Sequence, residues 1–296
     1  MLSSLAERLV ASMSNVTFGQ FIDTNSFVHK LDPRAKLLFL IAFIVFIFIA
    51  GNFISLGLLC LVLVTSMIAS RIPVKMYLKN IKAIIPIILI TALLNVFYTS
   101  GGKVLVDWWI FTITTDGIYR ASFMALRIVL LILSSAVLSY STSPTSLTGA
   151  IESLLSPLKF IGLGGAVHTM AMTMTIALRF IPTLIEETQK IMNAQKARGA
   201  DLDSGNLVKK VKALLPILIP LLISSVRRAY ELAEAMECRC YNGGKGRTKF
   251  RVMKYSARDL VVAIGLCAIF AVSVLINVFE PQLTALVPFL HYFYLG

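Results

Sequence analysis

From Leu37 to Ser70 the chain carries no charged side chain. Two uninterrupted apolar runs, Leu37 to Ala50 and Phe53 to Ser70, are separated only by Gly51 and Asn52. A water-soluble domain has no place for two such segments back to back. Each is close to the lower limit of about 17 residues for a membrane-spanning helix. The first reaches that limit if its helix opens at Asp32-Pro33, where proline suits a first helical position. Three further runs follow: Ala83 to Tyr98, Ala121 to Tyr140 and Leu260 to Phe279. The expectation is an all-α integral membrane protein with about five transmembrane helices. Composition agrees, since 57% of the 296 residues are hydrophobic and 15% are charged, where soluble chains carry about 25%.

The net charge of +13 must lie in the loops, and its distribution sets the orientation. His29, Lys30, Arg34 and Lys36 precede the first run. Arg71, Lys75, Lys79 and Lys82 fall between the second and third. Most other basic residues lie between Ser141 and Arg258. The segment 99–120 balances Lys103 and Arg120 against Asp107 and Asp116. The positive-inside rule places the N-terminus in the cytoplasm and 99–120 outside. An odd number of spans leaves the C-terminus outside. Val104 to Thr114, β-branched and aromatic between Gly-Gly and Asp-Gly, predicts a short hairpin with Trp108 and Trp109 as interface anchors. Membrane topology accounts for the basic residues, so nucleic acid is not an expected partner.

The stretch from Ser141 to Arg258 is too polar to cross repeatedly and too apolar for a loop. Apolar residues at Ile181, Leu184, Ile185, Ile191 and Met192 have helical spacing. Val167 to Phe180 upstream is more uniformly apolar, and Pro182 is expected to bend the helix. A second long helix is expected from Leu207 to about Arg239, after an N-cap at Ser204 or Asn206 and through Pro216 and Pro220. A short one is expected over Ser146 to Leu155. The two long helices end in Gln195-Lys196-Ala197-Arg198-Gly199-Ala200 and Glu237-Cys238-Arg239-Cys240-Tyr241. Each presents an arginine at a C-terminal tip, which suits gripping two copies of one partner. The domain reading is an N-terminal segment 1–30, a membrane domain 31–140 with four spans, a cytoplasmic coupling domain 141–256, and a last span and tail 257–296.

Other polar features have plainer explanations. Met1 to Ser12 has one basic residue, Arg8, and no long apolar core, so it is not a secretory signal. Gly243 to Thr248 lacks the spacing of a phosphate loop and is expected to be a basic loop near lipid headgroups. Cys238 and Cys240 have no neighbouring Cys or His to complete a metal site. Arg127, inside its apolar run, is expected to snorkel outward. His168 is assigned a structural role. The methionines Met170, Met172 and Met174 fit either packing or a deformable contact surface. Paired intramembrane charges or repeated broken helices would mark a stand-alone transporter or channel, the alternative reading, and the spans offer neither. No metal, cofactor or catalytic constellation is indicated.

From about Phe18 to Arg258 the chain resembles the transmembrane T-component of energy-coupling-factor transporters, bacterial importers of vitamins and trace metals. The matching segments are Leu31-Asp32-Pro33-Arg34-Ala35-Lys36, Thr142-Ser143-Pro144, Ile151 to Leu158, Ala177 to Pro182 and Ala194 to Ala200. In that family two Ala-Arg-Gly-like motifs end the coupling helices, and each arginine docks into one ATPase subunit. Ala197, Arg198 and Gly199 match the first motif in full. The second is matched at Arg239, with Cys238 and Cys240 at the flanks. The resemblance implies two ATP-binding cassette ATPase partners, a membrane-embedded substrate-binding S-component and a place in the bacterial cell membrane. It implies no covalent chemistry in this chain.

Overall fold

A computed structural model describes residues 21–22, 24–99, 101, 104–108, 111–200, 207–243, 253 and 255–286. The expected N-cap at 204–206, the basic loop 244–248 and the first 20 residues lie outside them. The described chain is all-α apart from one hairpin, and its helices fall into two compact units.

One unit comprises residues 20–143 and 252–296. Its first helix, α1 (Pro33–Ile49), opens where the sequence placed it. Asp32 is the N-cap, its carboxylate accepts from the Arg34 N–H, and Pro33 occupies the first helical position. The turn at Gly51-Asn52 leads into α2 (Phe53–Ser70), which ends on Arg71 in the left-handed region, φ 55°. α3 (Val74–Tyr98) begins well before its apolar run. Lys75, Lys79 and Lys82 therefore lie on the helix, not in a loop, because lysine is a good helix former. The hairpin is present, with β1 (Val104–Trp108) antiparallel to β2 (Phe111–Thr114) and Trp108 opposite Phe111. It delivers the chain into α4 (Thr115–Ser141), whose N-cap hydroxyl on Thr114 accepts from the Gly117 N–H. A Cβ on Gly117 would come within 3.0 Å of the Val96 carbonyl oxygen, so glycine permits the close approach of α3 and α4. α8 (Ala257–Leu286) completes the unit.

The core of this unit is apolar and tight. Ile47 and Leu56 are fully buried, with Leu59, Leu63, Phe123, Leu130 and Leu133 around them. Phe46 of α1 stacks on Phe270 of α8 at 3.9 Å. Tyr77 stands edge-on to Tyr140 and shares a hydrogen bond with the Ser70 hydroxyl. Of the intramembrane polar residues, Asn95 donates to Thr91 O in its own helix. Arg127 reaches the end of α1 beside the Gly51-Asn52 turn. Its guanidinium donates to Ala50 O at 2.8 Å and lies over the Phe123 ring. The carbonyl at the end of α1 has no helical N–H to bond and so is free to take this donor.

Five described helices are long and apolar enough to cross a membrane. Four coincide with expected runs: α2, α3, α4 and α8. The fifth by that measure is Lys212–Cys238, in the other unit. α1, at 17 residues, covers about 25 Å at 1.5 Å per residue, a little under a hydrocarbon core of about 30 Å.

The other unit includes residues 144–251. It holds α5 (Pro144–Leu154), a 3-10 turn over Ser156–Ile161, α6 (Gly164–Ala197) and α7 (Leu207–Cys238). Pro182 lies inside a single continuous α6, and Pro216 and Pro220 inside a single α7. His168 at the start of α6 faces Glu152 of α5 at 3.6 Å.

Candidate functional site

The two helix tips are built alike. At the end of α6, Ala197 is the last helical residue, Arg198 is the C-cap and Gly199 turns into the left-handed region at φ 83°. The Gly199 N–H donates to Lys196 O and the Ala200 N–H to Gln195 O, both at 3.0 Å. That pair of bonds is a Schellman motif, which closes the helix by satisfying two orphan carbonyls. At the end of α7, Cys238 is the last helical residue and Arg239 follows it. Cys240 takes the left-handed conformation at φ 54°. Its N–H donates to Glu237 O at 2.8 Å, and the Tyr241 N–H donates to Met236 O at 3.1 Å. The same two bonds therefore close both helices, with arginine at the same position in each. Ala197, Arg198, Gly199, Cys238, Arg239 and Cys240 are all exposed.

The sequence flagged Cys240 as a departure at the second tip. The backbone absorbs it, because cysteine adopts there the conformation that glycine adopts at the first. For a residue with a Cβ that conformation costs roughly 1–2 kcal/mol. Cys240→Gly is expected to stabilise the tip by about 0.5–1 kcal/mol once the greater freedom of unfolded glycine is counted. Hydrogen exchange at the Cys240 and Tyr241 amides reads the change. Gly199→Ala should move exchange at the first tip the opposite way, by strain alone, since nothing lies within 4 Å of an added Cβ.

The contacts between α6 and α7 fix where the tips lie relative to each other. Glu187 of α6 meets Ser224 and Arg228 of α7, with Arg228 Nη2 3.0 Å from its carboxylate. Farther along α6, Gln195 donates to Pro216 O, earlier in α7. The pairs run in opposite chain directions, so the helices are antiparallel and their C-terminal ends point apart. By that register the Arg239 tip lies some two dozen residues of α6 from Arg198, or ~36 Å at 1.5 Å per residue. Between the helices, toward the Arg239 tip, a cleft of about 490 Å³ is lined by Phe180, Leu184, Leu232, Met236, Glu237 and Tyr241 among others.

Glu187 sits at the centre of the pairing. The Ser224 hydroxyl, which donates to it, holds its carboxyl below the usual glutamate range; desolvation opposes this and Arg228 adds to it. A depressed folded-state pKa contributes stability above the ordinary value of about 4.3. That contribution is lost as pH falls through the folded value. Glu187→Gln should therefore lower the thermal stability of the pair at neutral pH, and wild type and variant should converge as pH falls below the ordinary glutamate range.

The apolar block of α7 from Leu214 to Ile223 is largely exposed. Ile217 is buried, but Leu218, Ile219, Leu222 and Ile223 are between 54% and 66% exposed. Sequence periodicity could not foresee this, since an apolar face looks the same whether it meets the chain's own core, lipid or another subunit. The sequence also did not show that Glu187 joins α6 to α7. Its spacing marked it only as part of the polar face.

Taken together, the apolar helices and their lipid-length spans define a polytopic helical membrane protein. A model of the family described as "Cobalt transport protein" matches residues 24–250. An energy-coupling factor transporter transmembrane protein EcfT from Clostridium kluyveri is 46% identical over 264 residues, covering 89% of this chain and 97% of the relative. The protein of that name from Acidaminococcus fermentans is 46% identical over 258 residues, covering 87% and 95%. That from Listeria innocua is 42% identical over 257 residues, covering 87% and 96%. The chain belongs to the EcfT family of energy-coupling factor transporter transmembrane proteins.

Proposed function

We propose that this chain is the coupling subunit through which two ATPase chains drive import. Family membership establishes it as the transmembrane component of an energy-coupling factor transporter. In our reading the α5–α7 unit is a cytoplasmic coupling domain, and α6 and α7 are its two long crossing helices. The observation that carries the proposal is the duplicated tip: two exposed arginines, each at the C-cap of a Schellman-closed helix, at opposite ends of one antiparallel pair. An arginine near a helix C-terminus contributes about 0.3–1 kcal/mol by dipole compensation alone. That explains one such residue but not the repetition of the whole cap.

Ala197, Arg198 and Gly199 would bind one ATPase subunit, and Cys238, Arg239 and Cys240 the other. Arginine suits the task because its planar fork grips a carboxylate bidentately. The exposed apolar face of α7 from Leu214 to Tyr230 supports a further partner that lives in the bilayer, the substrate-binding S-component. The substrate class would be vitamins or other micronutrients, chosen by that component. ATP hydrolysis would reside in the ATPase partners, and this chain would do no covalent chemistry. The N-terminus and both tips would face the cytoplasm.

The test is affinity purification of the tagged chain from bacterial membranes in mild detergent. Co-isolation of ATP-binding cassette ATPases and a small membrane protein is the expected result. A chain that purifies alone and transports when reconstituted alone would instead be a stand-alone transporter.

A further inference from the structure

Among the described residues, the chain leaves the membrane unit at 143/144, at the end of α4, and α8 opens the segment in which it returns. The last residues of α4 and the first of α8 are tied to a single turn of α1. Lys36 reaches the end of α4, and its amine donates to Ser141 O at 2.8 Å, with Thr142 Oγ1 at 3.4 Å. Asp259 closes the start of α8 by accepting from the Ser256 N–H at 2.7 Å through Oδ2. Its other oxygen, Oδ1, accepts from the Asp32 N–H at 2.9 Å. Asp32 in turn caps α1, and its carbonyl accepts the Lys36 N–H. Asp32, Lys36 and Asp259 are 6%, 7% and 4% exposed.

A buried lysine and two buried aspartates are costly in an apolar unit unless every group is bonded and the charges are near one another. Capping alone does not require them. Serine or threonine caps a helix without a charge, and α4 opens on the Thr114 hydroxyl in that way. What the charged set adds is stiffness. Each bond to an ionised group is stronger than a neutral one, and here they bind the last residues of α4 and the first of α8 to the same turn.

We propose that Lys36 and Asp259 are the positioning residues of energy transfer: they clamp the end of α4 and the start of α8 to α1, so that displacement of the coupling unit moves these helices together. This rests on the coupling function proposed above. The clamp acts after the ATPases have bound and hydrolysed ATP. Loosening it should leave assembly and hydrolysis in place and uncouple them from transport.

The experiment reconstitutes the complete complex, with its ATPases and the S-component that co-purifies with it, in proteoliposomes, using as the probe the radiolabelled vitamin that this S-component retains on purification. Uptake and ATP hydrolysis are measured on the same vesicles. Lys36→Met and Asp259→Asn should keep hydrolysis and lower uptake per ATP by about tenfold or more, within the usual range of coupling between sites. Lys36→Arg, which keeps a charged donor, should restore part of it. Because the buried variants can also weaken folding, a Gly-Gly insertion between Ser143 and Pro144 serves as an independent arm. It keeps Lys36, Asp259 and the groups they bond, slackens the passage after α4, and should lower the same ratio. Unchanged uptake per ATP in the insertion variant would overturn the proposal. So would variants whose uptake and hydrolysis fall together in proportion to assembled complex. A wild-type complex without ATP-driven uptake would instead sink the coupling function, so the two failures are distinguishable.

Discussion

Replacing Arg198 and Arg239 together by alanine is expected to release the ATPase subunits and abolish ATP-driven uptake while leaving the membrane fold intact. Both side chains are exposed at helix ends, and the caps behind them are made by backbone bonds. Little folding energy depends on either guanidinium. At an interface the position reverses. Truncating one partner of a hydrogen-bonded charge pair costs about 2–5 kcal/mol, or roughly a 30- to several-thousand-fold loss of affinity at that contact. With two tips engaged, the intact one holds the complex at a high effective concentration for the other. Each single substitution should therefore weaken assembly and leave some complex, and the double substitution should lose it. Lysine at either position should rescue only in part, since it keeps the charge and loses the bidentate fork. Detergent co-purification of ATPases with each variant, alongside its thermal unfolding, separates loss of binding from loss of fold.

The second large effect is a matter of sidedness. Lys212–Cys238 is long and apolar enough to span a bilayer, yet its second half carries Arg227, Arg228, Glu231, Glu234 and Glu237. Charged groups at that density are unfavourable in hydrocarbon. If α7 crossed, Arg198 and Arg239 would lie on opposite faces, and only one could meet a cytoplasmic ATPase. Cysteine labelling with a membrane-impermeant maleimide decides this. A cysteine at Lys196, in a background lacking Cys238 and Cys240, should react only from the cytoplasmic side. The native Cys240 should do the same. Lys79→Cys should label from that side too, and Tyr98→Cys only from outside. Labelling of positions 196 and 240 from opposite sides would make α7 a span and remove the basis for paired docking.

Much of this architecture can be read from local signals. The apolar runs predict α2, α3, α4 and α8, and Asp32-Pro33 predicts the start of α1, because caps and hydropathy are short-range properties. The hairpin over Val104 to Thr114 follows from its β-branched composition. Hydropathy finds apolar stretches and not helix ends, so it misses the two lysine-rich turns that open α3. The clamp illustrates a deeper limit. Asp32 and Asp259 lie 227 residues apart, and Lys36 and Ser141 are 105 apart. Nothing local to either says that they meet. Arg127 teaches the same lesson: its depth in the run suggests a reach along the helix, and nothing local names the carbonyl of another helix that receives it. At the tips the sequence marks both arginines but not the shared backbone cap behind them. Cys240 hides behind a side chain the conformation that Gly199 advertises.

The most direct measurement is native mass spectrometry of the detergent-solubilised complex, counting ATPase chains per copy of this protein. Wild type should carry two. Arg198→Ala and Arg239→Ala should each shift the population toward fewer, and the double variant should carry none while still unfolding at the wild-type temperature. A double variant that retained both ATPase chains would show that the two helix tips are not where they are held.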